Sequence, residues 1–257
     1  MRKTTLIALL LAGLLLGTGP KVFAQSYSLQ GLGQFAGRQD WQGGLSYGLG
    51  WVRADPNNPD AWYAVALAHE NLGQLSGAIV AARRAVQIRP SQWAYWYPLC
   101  QSYMGMGTRV GFEALARDCA GQLQRLARAD WEWFETGNVY LSLGELQPSL
   151  YRSAKGAFLQ DLQLNPRASG AWQNLGNTEW HLGNLKNAED DFRKAIQLGN
   201  TSAAQNLRML QTEIQSCFNQ KQTIAHTQYP LLGVITAYNQ NCGSISGGIP
   251  VRVIPVP

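Results

Sequence analysis

Three histidines, four cysteines and a few acidic pairs are the residues of this chain whose types could do chemistry. His69 falls at a packing position of a helical pattern, His181 stands two residues before a helix-ending glycine, and His226 has no acidic neighbour. None is placed as a general base held by an orienting carboxylate. Asp190-Asp191 and the pair Glu132/Glu135 lie on predicted helices, where such charges form solvated faces. Gly31-Leu32-Gly33 lacks the preceding strand that a dinucleotide fingerprint needs, and no HExxH, GxSxG or phosphate-loop pattern occurs. The expectation is a non-catalytic protein with no metal site and no cofactor.

The cysteines point elsewhere. Cys100, Cys119, Cys217 and Cys242 form an even set without a CxxC pair, so a zinc ribbon or a thioredoxin-type motif is not supported. The N-terminus supplies the redox context. Arg2 and Lys3 precede an unbroken apolar run from Leu6 to Leu16, and Val22-Phe23-Ala24 offers small residues for cleavage. This is the pattern of a secretory signal over residues 1–24, too short for a span that needs about 20 apolar residues. The expected location is periplasmic or secreted, where disulfides form, and three pairings of the four cysteines are open.

Cleavage before Gln25 also changes the charge. The full chain has 21 basic and 16 acidic residues, and loss of Arg2, Lys3 and Lys21 leaves 18 basic against 16 acidic. No lysine or arginine run remains, so a nucleic-acid partner, which needs a clustered basic footprint, is not expected. No other segment is apolar enough to cross a bilayer.

The elements that must position any site are set by tryptophan. Trp62, Trp96, Trp133 and Trp172 recur at steps of 34, 37 and 39 residues. In the clearest copy, Trp62, Val65, Ala66 and His69 share one helical face, and Gly73 ends that helix. Ala78, Ala82, Ala85 and Val86 share the face of a second helix, which Pro90 stops. Ala66 and Ala78 let the two helices approach, while Trp62 fills the wider gap. The copy from Ser169 repeats the layout with Trp172, Leu175, Gly176, Gly183, Ala188, Phe192 and Ala195. The copy at Trp96 has Leu99, Cys100, Tyr103 and Gly107, with a second helix near Phe112 to Leu126 out of register. The copy at Trp133 has Gly137, Tyr140 and Gly144, then extra residues around Pro148 before Ala154, Phe158 and Pro166. Asp40 to Asp55 reads as the second helix of an earlier copy, whose first helix lies near Tyr27 to Gly37. Ala203 to Gln215 reads as a closing helix.

These residues resemble the tetratricopeptide-repeat signature of Trp, Leu-Gly, Tyr, Ala, Phe, Ala and Pro at a period of about 34 residues. His69 and Glu179 depart from it where the signature has tyrosine. The resemblance implies an all-α, right-handed solenoid of tandem helix pairs over 25–215, followed by an irregular C-terminal tail over 216–257. It also implies that the second face of each first helix lines a peptide-binding groove. That face carries Tyr63, Leu67 and Asn71, then Tyr97 and Gln101, then Trp131, Phe134 and Asn138, and finally Gln173, Asn177 and Trp180. Asparagines are present but no basic partners, which disfavours a clamp for a terminal carboxylate. In this frame Cys100 occupies the small-residue position facing the second helix, where Cys119 lies, so a Cys100–Cys119 disulfide is expected. Cys217 and Cys242 are then expected to tie down the tail. That tail holds a β-prone run from Leu231 to Tyr238 and the prolines Pro250, Pro255 and Pro257.

The expected function is a protein–protein interaction scaffold of the cell envelope that holds a peptide or partner helix in an aromatic groove. Envelope assembly, secretion and pilus biogenesis are the processes the resemblance points to. The alternative is a polysaccharide-binding accessory subunit of an envelope export system, which needs an exposed row of tryptophans.

Overall fold

Helix starts and stops follow short-range chemistry. Ser28 Oγ accepts from Gly31 N at 3.1 Å, Asp40 Oδ1 from Gly43 N at 2.9 Å and Asn58 Oδ1 from Asp60 N at 3.0 Å. Each satisfies an amide that the first helical turn leaves unpaired. Gly73 and Gly183 stop helices at φ +71° and +76°, in the left-handed region that glycine enters without a Cβ penalty. Beyond each, the next amide reaches back five residues, Gln74 N to His69 O and Asn184 N to Glu179 O, both 2.8 Å.

The computed structural model describes residues 27–107 and 111–226. They fall into two compact units that divide between Ala127 and Arg128. The first holds α1 (Leu29–Gly37), α2 (Trp41–Ala54), α3 (Pro59–Asn71), α4 (Leu75–Ile88), α5 (Trp93–Gly105) and α6 (Phe112–Leu126). The second holds α7 (Asp130–Gly144), a 3-10 turn (Pro148–Leu150), α8 (Tyr151–Leu164), α9 (Ser169–His181), α10 (Leu185–Gln197) and α11 (Ala203–His226). All secondary structure among the described residues is helical, and within each unit consecutive helices pack on one another.

Three of the repeated tryptophans are pinned by the loop before their helix. Trp62 Nε1 donates to Pro56 O and Trp96 Nε1 to Pro90 O, each at 2.8 Å, and Trp172 Nε1 to Pro166 O at 2.9 Å. A loop carbonyl and an indole N–H are satisfied together, which fixes the entry angle of the helix.

Helix pairs close over small residues. In the first unit Ala66, Ala78, Ala82 and Ala85 have no exposed surface. In the second, Gly137 and Gly176 each seat a phenylalanine ring. A Cβ on Gly137 would meet Phe158 at 2.6 Å and one on Gly176 would meet Phe192 at 2.7 Å. Cys100 occupies the equivalent position of α5 and is bridged to Cys119 of α6, with Cα atoms 5.5 Å apart. The register slip explains the partner. Helix α6 starts five residues after Gly107, whereas α4 starts two after Gly73, so Cys119 stands where phenylalanine stands in α8 and α10.

The last helix differs from its expected length. It does not end at Gln215 but runs on to His226. The cause is a continuing apolar stripe. Leu207, Leu210 and Ile214 pack on Leu185, Ala188 and Phe192 of α10, and Cys217, three residues further on, is also buried. Of the tail, Cys242, the Leu231 to Tyr238 run and the closing prolines lie outside the described residues, and with them the expected Cys217–Cys242 bridge.

Candidate functional site

The predicted binding face divides by unit, and the two halves differ in chemistry. In the first unit it is largely filled. Tyr63 has no exposed surface, and its ring lies 5.5 Å from that of Tyr95. Tyr95 donates through its hydroxyl to Asp60 Oδ1 at 2.5 Å and so closes over Tyr63 from the next first helix. Burial, reinforced by Glu70, Tyr95 and Asp60, raises the Tyr63 hydroxyl far above its ordinary range. That hydroxyl has no hydrogen-bond partner. Leu67 is buried as well. Tyr97 is 8% exposed and stacks on Trp93 at 5.2 Å. Its oxygen accepts from Gln101 Nε2 at 2.8 Å, and Asn71 Nδ2 donates to Leu67 O at 2.8 Å. Tyr63 and Leu67 are thus core residues, and Asn71 and Gln101 already make bonds within the unit. Tyr95, one repeat on, was the missing signal.

The second unit keeps a polar row open. Trp131, Phe134, Asn138, Asn177 and Trp180 are all partly buried. Asn138 Oδ1 of α7 accepts from Asn174 Nδ2 of α9 at 2.7 Å. Asn177 Oδ1 of α9 accepts from Asn206 Nδ2 of α11 at 2.8 Å. Two amide pairs therefore bridge α7 to α9 and α9 to the closing helix α11. Gln173 is buried, and its Oε1 accepts from Asn200 Nδ2 at 2.8 Å and Ser202 Oγ at 3.0 Å. Trp180 is fixed at both ends, with Nε1 donating to Glu213 Oε2 at 2.9 Å and its ring edge-on to Phe192 at 6.3 Å. Phe134 leans on Phe158 at 6.1 Å.

An amide pair consumes one oxygen and one N–H and leaves the rest of both groups. Asn174 and Asn177 are three residues apart on α9, so they neighbour each other on one face. Their amides present acceptor and donor capacity side by side, which is what an extended peptide backbone requires. Sequence reasoning found Asn138 and Asn177 and missed Asn174 and Asn206. The missed pair is visible only once the helices are stacked, because Asn206 belongs to a helix without the repeat signature.

His69 and His181 make contacts within the fold. His69 Nδ1 lies 2.7 Å from Gln74 Oε1, at the turn that Gly73 makes. His181 stacks on Tyr151 at 4.5 Å and is 3.5 Å from Glu145 through Nε2. Burial and a hydrogen bond with Glu145 push the Tyr151 hydroxyl up to about 12. The His226 side chain lies outside the described residues. Among the described residues, no group of three His, Cys, Asp or Glu side chains is placed to hold a metal ion.

The departure at Glu179 also has an explanation. Where the signature has tyrosine, this buried carboxylate takes Lys155 Nζ at 2.7 Å and Asn184 Nδ2 at 2.7 Å. Asp191 nearby is pushed up to about 7 by burial, then by Glu179 and Asp190, with Lys155 opposing.

Comparison with known proteins places this architecture. Residues 50–102 and residues 169–200 each match a family described as tetratricopeptide repeat. No curated protein matches the chain in sequence. A tetratricopeptide-repeat protein of Thermus thermophilus aligns with a TM-score of 0.54 and 18% identity over 71% of this chain and 96% of its own. MamA of Desulfovibrio magneticus aligns with a TM-score of 0.53 and 18% identity over 66% and 91%. YrrB, described as a tetratricopeptide-repeat protein with an unusual peptide-binding site, aligns with a TM-score of 0.52 and 16% identity over 69% and 88%. The fold class is the all-α solenoid of tandem helix pairs. Each unit contains a segment that matches a tetratricopeptide-repeat model.

Proposed function

We propose that this chain is a non-catalytic interaction scaffold of the bacterial cell envelope that holds an extended peptide along the first-helix face of its second unit. The observation that supports this most is the paired amide row Asn138–Asn174 and Asn177–Asn206. Interlocked amides are held in one orientation by each other, so their remaining donors and acceptors are organised before a ligand arrives. Phe134 and Trp180 flank the row and supply apolar contact. A main-chain ligand also fits the absence of basic groups among the predicted groove residues. Export rests on the N-terminal pattern and on the cysteine usage. The sugar-stacking alternative draws less support, since Trp51 and Trp93 are buried and Trp62, Trp96 and Trp172 are partly buried and held by loop carbonyls, so no open row of tryptophan faces is formed.

The test is selection from a displayed library of random extended peptides, followed by titration of the best binder against variants. Asn174→Ala should weaken binding about tenfold, roughly 1.4 kcal/mol, at unchanged helix content. Gln101→Ala in the first unit should change it little. Full affinity after loss of Asn174 removes this face as the site.

A further inference from the structure

The closing helix α11 is joined to α9 by an amide pair and by a carboxylate–indole pair. Asn177 and Trp180 are three residues apart and neighbour each other on α9. Asn206 and Glu213 are seven residues apart and share one face of α11. The Asn177–Asn206 bond and the Trp180–Glu213 bond therefore lie side by side, the second nearer the C-terminal ends of both helices.

The carboxylate–indole pair leaves a charge unanswered. Glu213 is partly exposed, and its Oε2 accepts from Trp180 Nε1 at 2.9 Å. A neutral N–H fills one of about four acceptor sites on a carboxylate and does not balance its charge. Among the described residues Glu213 takes part in no ion pair. Of the cations in the second unit, Lys155 pairs with Glu179, Lys186 with Asp190 and Arg193 with Glu189. Arg208, on α11 itself, is exposed and stands five residues before Glu213, which puts it about 140° away around the helix. The carboxylate at the other end of the row is different. Glu135 is 7% exposed and accepts from Asn138 Nδ2 at 3.3 Å. The solvent-facing negative charge beside the row is thus at its Asn177 end.

An extended peptide bonded to Asn177 and Asn206 through its backbone projects alternate side chains to one side. Trp180 lies about 4.5 Å further along α9 than Asn177, a distance that a lysine or arginine stem spans. Such a side chain lays its methylenes on the indole and its charge on Glu213. An acidic side chain at the same place meets a like charge, so the pair discriminates as well as binds.

We infer that Trp180 and Glu213 form a subsite for a lysine or arginine side chain of the bound peptide. The subsite rests on the reading that the amide row holds the peptide backbone, and adds to it the class of side chain selected.

Selection from the displayed peptide library against the full-length chain, run in parallel against Glu213→Gln, tests this. Glutamine keeps an acceptor for Trp180 Nε1 and removes only the charge. Binders are resynthesised with an acetylated N-terminus and an amidated C-terminus, so that side chains carry their only charges. The wild-type selection should fix lysine or arginine at one position, and the Glu213→Gln selection should not. The best wild-type binder should lose affinity about tenfold on Glu213→Gln. Replacing its cation by glutamine should cost the same, and the two changes together should cost no more than either alone. Asn174→Ala should weaken the cationic and the glutamine peptide alike. Binders that weaken on Asn174→Ala yet carry no preferred cation, or keep that preference against Glu213→Gln, overturn the subsite and leave the backbone reading standing. Loss on Glu213→Gln without loss on Asn174→Ala supports the subsite and removes the backbone reading. Sensitivity to neither change, or an empty selection, removes both.

Discussion

Asp161 is the residue at which this fold departs furthest from its own pattern. It stands on α8 where α4 and α10 have Ala85 and Ala195, is 2% exposed, and has no hydrogen-bond partner for Oδ2. Burial, then the Asp130 carboxylate, pushes its pKa up to about 7 from the usual 3.8. A raised carboxyl pKa means that the folded chain holds the proton more tightly than the unfolded one. Stability contributed by this group is therefore present below pH 3.8 and is lost as pH rises towards 7. Asp161→Ala restores the small residue of the pattern and removes the orphan oxygen. It should stabilise the protein by about 1–3 kcal/mol at pH 7.5. Denaturant unfolding at pH 4 and at pH 7.5 checks this, and an equal effect at both would mean that ionisation is not the cause. The disulfide is the second prediction at this scale. Cys100 and Cys119 are 19 residues apart in sequence, and closing such a loop stabilises by about 3 kcal/mol in the chain-entropy model. Peptide mapping of oxidised protein should recover the two cysteines linked, and Cys100→Ser with Cys119→Ser should lower stability by about that amount. Free thiols at both positions in protein recovered from an oxidising compartment would contradict it.

At the scale of elements, the glycine–phenylalanine seats hold the helix pairs of the second unit. Phe158 and Phe192 have no exposed surface. A Cβ on Gly176 would lie 2.7 Å from the Phe192 ring and 3.2 Å from the Ala188 carbonyl oxygen, so both a ring and backbone must give way. Gly176→Ala should therefore destabilise by about 1–3 kcal/mol, although alanine is the better helix former. A rise in melting temperature would show that the pair relaxes freely. The seats were legible in the sequence, because Gly137 and Gly176 stand at fixed distances from Trp133 and Trp172. The expected bounds of α6 match, since Phe112 and Leu126 delimit its apolar pattern between glycine and polar residues. What periodicity did not give is which side chains of a face are covered, because that depends on the neighbouring helix. Tyr63 was expected on the binding face, and Tyr95, from the next repeat, buries it. The end of α11 was misjudged for a related reason. The repeat signature stops before this helix, but Ile214 and Cys217 extend the buried stripe past Gln215.

For the whole molecule, the property with the widest consequence is where the chain is delivered. Its formal charge is +5 over 257 residues, and Arg2, Lys3 and Lys21 supply three of the basic residues. If residues 1–24 are removed on export, the remaining chain is close to neutral and begins at Gln25. No described helix is long and apolar enough to cross a membrane. Described helical structure begins at Leu29, capped by Ser28, so cleavage before Gln25 would leave every described helix and its cap in the remaining chain. The same delivery would put Cys100 and Cys119 in a compartment that maintains their bridge. The expected outcome is that full-length chain expressed in a Gram-negative host with an intact export pathway is recovered from the periplasmic fraction. N-terminal sequencing should begin at Gln25, and the protein should show a helix-dominated circular dichroism spectrum. Arg2→Glu with Lys3→Glu removes the positive charge that precedes the apolar run, and should leave uncleaved chain inside the cell with Cys100 and Cys119 reduced. Recovery of intact chain beginning at Met1 from the wild-type periplasm, or from the cytoplasm with the bridge already formed, would break the link between leader, charge and disulfide on which the envelope assignment rests.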